Sequence, residues 1–265
     1  MPFELMKSVE NLMEQVREKT GKGFETAEIS GLPVSARIEP AGPGGPDGKG
    51  APVHRLLIRP GAAVAANYII ANQCCHMLRL YSAPAEKRMI PVANRRTMMS
   101  YIMETEDDIH RIGESMGKDK IKKLVTMWYE GVVYQLTKMP PDIMIDKWLY
   151  DKCPEIRPVQ LNSIRRQRDT AILSISEDLK RITPLKIYNS SNIMNYTFFK
   201  TLEDHFHLDF VAPYHNTPFI FEGGPLAKIT EQQYVDSHEG DNQMINIWAE
   251  RLNLTKWFEW KHFES

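Results

Sequence analysis

The sequence predicts an α+β protein, predominantly helical, with a small antiparallel β element near the N-terminus followed by a buried central helix and a helical body. Three observations predict it. Two short runs of strand character, Val34–Glu39 and Val53–Arg59, flank a Gly- and Pro-rich stretch, PAGPGGPDGKGAP, at 40–52. A long apolar run, AAVAANYIIANQCCHMLRLY, follows with Arg79 as its one Lys or Arg and no acid. Beyond residue 95 the apolar positions recur at helical rather than alternating spacing.

Taken in order, residues 3–19 place Phe3, Met6, Val9, Met13 and Val16 near one helical face. Val34–Glu39 alternates apolar and polar side chains as a half-buried strand does, and Leu56, Leu57 and Ile58 carry the second strand up to Pro60-Gly61. The stretch between them cannot join a ladder and reads as a mobile hairpin loop, so the two strands form an antiparallel pair. The apolar run from Ala63 to Tyr81, stopped by Ser82-Ala-Pro84, has few polar positions on any face and is expected at the centre of the core. A charged helix is expected over 95–116, broken at Gly117, and another over 118–138, ended by Pro140-Pro141. Asp142 then caps a short helix to Cys153, and Arg157-Pro158 opens a long one to about residue 175. Further helices are expected over 190–206 and 241–252. Trp128, Tyr129, Tyr134, Trp148, Tyr196 and Phe199 are expected in helix–helix packing, and the aromatic tail Trp257, Phe258, Trp260 and Phe263 is expected to dock on its own domain.

Composition bounds the function. Acids (34) and bases (33) nearly cancel, so no general attraction to nucleic acid or anionic lipid is expected. The basic clusters Arg95-Arg96, Arg165–Arg168 and Lys180-Arg181 read as solvated helix faces, and nucleic acid is not favoured as a partner. No run approaches the roughly 18 apolar residues of a membrane helix, and the charged first twenty residues do not form a signal peptide. Cys74, Cys75 and Cys153 make neither a CxxC knuckle nor an even framework, so reduced thiols and a cytoplasmic setting are expected. Nothing in the chain suggests a domain linker, and 1–265 is expected to be a single compact domain, with a subdivision into 1–138 and 139–265 as the alternative. Walker, GxGxxG and GxSxG patterns are missing.

The most suggestive constellation is Asn72-Gln73-Cys74-Cys75-His76 within the central helix. Two His one helical turn apart reach a single zinc, the Glu beside the first deprotonates the bound water, and a later helix supplies a third ligand. Here Asn72 stands at the first ligand position, Gln73 at the base position and His76 at the second ligand position. At this point the chain resembles the zincin-like metallopeptidases, particularly the compact ImmA/IrrE-like group, in which a helix and short strands precede the active-site helix. The resemblance covers residues 1–135 in outline, making 1–138 the zincin-like half and 139–265 a helical C-terminal half. It implies Glu130, in Trp128-Tyr-Glu-Gly131, as the third ligand. An Asn carbonyl is a weak zinc ligand and Gln cannot take a proton at neutral pH, so ordinary water-activated peptide hydrolysis is expected to be absent or very slow. The same residues also read as hydrogen-bonded polar groups on a buried helix.

Other groupings are weaker. His205 and His207 share a face only in an extended segment and read better as a helix-end pair. The adjacent thiols point about a hundred degrees apart on a helix, so His76 does not serve Cys75 as a base, and buried apolar packing is their expected role. The function expected is that of a non-catalytic metallopeptidase-like scaffold with no cofactor, a pseudoenzyme binding a protein or peptide, for which an exposed strand at 53–58 would accept an extended chain. A zinc-dependent hydrolase with an atypical site is one alternative. A nucleic-acid-associated or defence-system subunit is another.

Overall fold

The computed structural model describes residues 4–32, 35–41, 53–61 and 63–263. The protein is α+β and predominantly helical, with a three-stranded mixed sheet near the N-terminus and a two-stranded sheet elsewhere. The chain divides into two compact units that alternate along the sequence. One comprises Met1–Arg88, Met144–Ile164 and His262–Ser265, and the other Met89–Ile143 and Arg165–Lys261.

In the first unit, α1 (Lys7–Thr20) runs to Gly21, whose φ of 69° provides the left-handed helix cap that a side chain would strain. Three strands follow, β1 (Phe24–Glu28), β2 (Ala36–Glu39) and β3 (His54–Ile58). β2 and β3 pair antiparallel, with Arg37 opposite Leu57 and Ile38 opposite Leu56. The hairpin loop expected over 40–52 lies almost wholly outside the described residues. β1, which the sequence reading missed, pairs parallel to β3 on its other side, with Thr26 opposite Leu56. The sheet order is therefore β1-β3-β2, and β3 is the central strand. An added chain cannot bind to Val53–Ile58 as expected, because both its edges are taken. α2 (Ala63–Ser82) packs on α1 and lies beside β2. Val9, Leu12 and Val16 of α1, Leu56 and Ile58 of β3, and Ala66, Ile70, Ala71 and Cys74 of α2 make one buried cluster with Ile145, Leu149 and Ile156. Each larger apolar side chain fully buried there contributes about 1.5–3 kcal/mol.

The second unit is built from helices. The charged helix expected over 95–116 is two, α3 (Arg95–Glu104) and α4 (Glu106–Met116). Thr105 separates them, its hydroxyl donating to Tyr101 O and its amide to Ile102 O. Conversely, the break expected at Pro140-Pro141 does not occur, and α5 runs unbroken over Lys118–Lys152. Two prolines delete two intrahelical bonds, yet both are buried and the helix continues through them. Asp142 is thus inside a helix rather than at a cap. After α6 (Arg157–Leu173) and the short α7 (Glu177–Arg181), α8 (Leu185–Phe206) contributes a broad buried face to this unit's core, including Met194, Phe198, Phe199 and Leu202. α9 (Ile220–Gln233) was obscured in sequence by Gly223-Gly224-Pro225. A Cβ at Gly223 would come within 2.5 Å of the Tyr196 ring, so glycine here is what lets α8 and α9 approach closely. α10 (His238–Arg251) and the strand β5 (Glu259–His262), paired with β4 (Met89–Val92), complete the chain. The tail docks as expected: Trp257 and Phe258 are buried. Tyr134 and Trp148 depart from the expected packing, being 64% and 39% exposed. No helix among the described residues is long and apolar enough to cross a membrane.

Candidate functional site

The ladder geometry shows what Gln73 does. Along β3, His54 N–H bonds to Gly23 O and Ile58 O accepts from Ile29 N–H, so its even-numbered residues face β1. Arg59 N–H bonds to Ser35 O, so the odd-numbered residues of β2 face β3. The backbone groups of Ala36 and Ile38 consequently point away from the sheet, and the Gln73 side chain meets them. Its Oε1 accepts from Ile38 N–H and its Nε2 donates to Ala36 O at 3.4 Å. The amide occupies the position of a further strand and braces α2 to the sheet. A carboxylate could accept from Ile38 but not donate to Ala36, so glutamine suits this place through both halves of its amide.

The neighbouring motif residues sit around this brace. Asn72, Cys74 and Cys75 are buried and His76 is half-buried. Burial pushes the Cys74 thiol up to about 12, and burial followed by the neighbouring Cys74 sulfur raises Cys75 well above the ordinary thiol range. Neither supplies a thiolate near neutral pH, which removes the chemical basis for a thiol nucleophile. Cys153 is also buried and raised by desolvation. Glu130, the expected third ligand, is exposed on α5 and belongs to the second unit, whereas Asn72, Gln73 and His76 belong to the first. Among the described residues no three His, Cys, Asp or Glu side chains are grouped to hold a metal ion. This donor set does not fit the closed or three-ligand zinc sites of the resembled peptidases. His205 lies in the last turn of α8 and His207 is its left-handed C-cap, with φ 54°, which places the pair at a helix end.

Two polar positions that sequence reasoning overlooked are better embedded than any it chose. Asp146 is almost fully buried. Its Oδ1 accepts from the Tyr68 hydroxyl at 2.7 Å and from Gln160 Nε2 at 3.2 Å, and its carbonyl accepts from the same Nε2 at 2.7 Å. A signal existed: Asp146 is a lone acid in the largely apolar stretch Ile143-Met-Ile-Asp-Lys-Trp-Leu149.

His54 is the second. Ala41 N–H donates to its Nδ1 at 2.9 Å, so the proton sits on Nε2, which donates to Thr20 Oγ1 at 2.9 Å. The Thr20 hydroxyl in turn donates to Val16 O at 2.8 Å. Burial, aided by Lys22, lowers the imidazole below its ordinary 6.5. Protonation would place a second donor against the Ala41 amide. The unfolded chain therefore binds the proton more readily than the folded one. His54's stabilising contribution is complete above about pH 6.5, declines as pH falls toward the lower folded value, and levels off below it. His54→Gln, which keeps one acceptor and one donor, should flatten this part of the melting temperature against pH between about pH 5 and 7. An unchanged slope in the variant would show that other groups set it.

Comparison with protein-family models, with curated proteins and with solved structures finds no match to this chain.

Proposed function

We propose that this protein is a non-catalytic scaffold of zincin-like outline that acts by binding a protein or peptide partner. The observation that carries the reading is the Gln73 brace: at the position where a peptidase of this outline would hold its base, the side chain is engaged with the backbone of β2 through both ends of its amide. A residue so held neither accepts a proton nor points at a substrate carbonyl. That no three His, Cys, Asp or Glu side chains among the described residues are grouped to hold a metal ion supports the same reading.

The test combines metal content with peptide cleavage. Protein purified without chelator is analysed for zinc, then incubated with a quenched fluorescent peptide library with and without added zinc. The expected result is no stoichiometric metal and no cleavage. Zinc at about one equivalent, together with cleavage lost in His76→Ala, would overturn the proposal in favour of the hydrolase. Gln73→Glu makes the contrast sharper. It restores a carboxylate at the base position but removes the donor to Ala36 O, and it is expected to lose about 1–3 kcal/mol of stability while gaining no hydrolysis. A stable, cleaving Gln73→Glu protein would contradict the structural role given to the amide.

A further inference from the structure

We infer that the outer edge of β1 binds an extended peptide carrying basic side chains at alternate positions, an inference that rests on the partner-binding reading and names its site and chemistry. The two sheet edges are not alike. At β2 the outward backbone groups of residues 36 and 38 are met by Gln73. At β1 the parallel ladder uses residues 23, 25, 27 and 29 toward β3, as the Gly23–His54 and Ile29–Ile58 bonds fix. Phe24, Thr26 and Glu28 therefore direct their amide and carbonyl groups outward, and no strand pairs with them among the described residues. An unpaired edge of this kind offers main-chain donors and acceptors at the spacing of an added strand.

Beside this edge lies a groove of about 340 Å³, lined by Thr26 and Glu28 of β1, Leu56 and Ile58 of β3, and Glu4, Leu5 and Glu10 from the N-terminal helix region. Its floor is apolar and every charged side chain lining it is an acid. Glu10 is paired with Lys7 at 3.3 Å, while Glu4 and Glu28 have no ion-pair partner among the described residues. A strand added to β1 would place every second side chain on the groove face, about 4.5–5.5 Å from those of Thr26 and Glu28. Lysine or arginine there reaches the carboxylates of Glu28 and Glu4 and lays its methylene stem along the half-buried Leu5. Acidic side chains in the same places would meet like charge.

The experiment measures fluorescence anisotropy of labelled heptapeptides added to the full chain: one alternating lysine and threonine, one alternating glutamate and threonine, and the lysine peptide N-methylated at alternate amides. The lysine peptide should bind at least about tenfold more tightly than the glutamate peptide, weaken with salt, and lose binding on N-methylation. Thr26→Pro deletes an outward amide that makes no ladder bond, so it should abolish binding while leaving the melting temperature close to that of the wild type. Glu28→Lys, which leaves the backbone alone, should weaken binding about tenfold even if the proline variant folds poorly. Equal binding of the lysine and glutamate peptides overturns the charge assignment. Binding that survives N-methylation and Glu28→Lys overturns the site. An unbiased peptide-display selection separates this inference from the reading beneath it. Enrichment of peptides that ignore Thr26→Pro and Glu28→Lys refutes the β1 site and leaves partner binding standing, whereas no enrichment at all removes both.

Discussion

Trp257→Ala is expected to lower the unfolding free energy by about 3–5 kcal/mol, the range for emptying a buried aromatic site. Trp257 is fully buried and its ring meets Tyr101 edge-on at 5.0 Å. Its Nε1–H donates to Glu104 Oε2 at 3.0 Å, and that carboxylate also receives Lys186, whose ammonium lies 5.1 Å over the Trp257 ring. The Tyr129 hydroxyl donates to Trp257 O at 3.0 Å, which fixes the backbone of the tail as well as its side chain. Alanine removes the packing and the indole donor together. Trp257→Phe keeps most of the volume and removes only the donor, so it should cost about 1–2 kcal/mol. Urea midpoints give the comparison, with the alanine variant several times worse than the phenylalanine one. Equal losses would mean that the Glu104 bond, and not the packing, holds the tail.

That tail shows which parts of the fold were legible in the sequence. Trp257 and Phe258 are apolar enough to demand burial wherever they fall, and the expected self-docking follows from composition alone. β2, β3 and α2 were legible from local pattern as well: β2 alternates apolar and polar residues, and β3 and α2 are continuous apolar runs closed by Pro60-Gly61 and Ser82-Ala-Pro84. β1 was not: Phe24-Glu-Thr-Ala-Glu28 has three exposed positions of five, and its identity as a strand depends on β3, thirty residues away. Pro140-Pro141 and Gly223-Gly224-Pro225 misled for the opposite reason. Both are local breakers overruled by tertiary packing, and the second makes that packing possible. Tyr134 and Trp148 were misplaced because aromatic character gives no direction around a helix.

The candidate site was legible as a motif and illegible as a mechanism. Asn72-Gln73-Cys74-Cys75-His76 stands out by spacing, but the partners of Gln73 are backbone groups of Ala36 and Ile38, which no side-chain pattern encodes. His54 was hidden similarly, since its acceptor role depends on the Ala41 amide. The location of the free sheet edge could not be read at all until β1 was seen. The strand expected to accept a peptide is β3, which among the described residues is paired on both edges.

Asp146→Ala is expected to cost about 1–3 kcal/mol, by a different route from Trp257→Ala. The alanine leaves little void. It removes the carboxyl oxygen that accepts from both the Tyr68 hydroxyl and Gln160, and Gln160 keeps its bond to the residue-146 carbonyl. Tyr68 and Gln160 are both buried, so water cannot replace what is lost without opening the core around Ile145 and Leu149. Tyr68→Phe alone removes one donor and should cost about 1–2 kcal/mol. With Tyr68→Phe already in place, Asp146→Ala no longer breaks the bond to that hydroxyl, and its additional cost should fall by about 1–2 kcal/mol. A cycle measured by urea unfolding reads that coupling directly. Strict additivity would show that the two groups, 2.7 Å apart, do not share the energy of their bond. A positive coupling would show that the Tyr68–Asp146 bond helps to hold the central helix in its place.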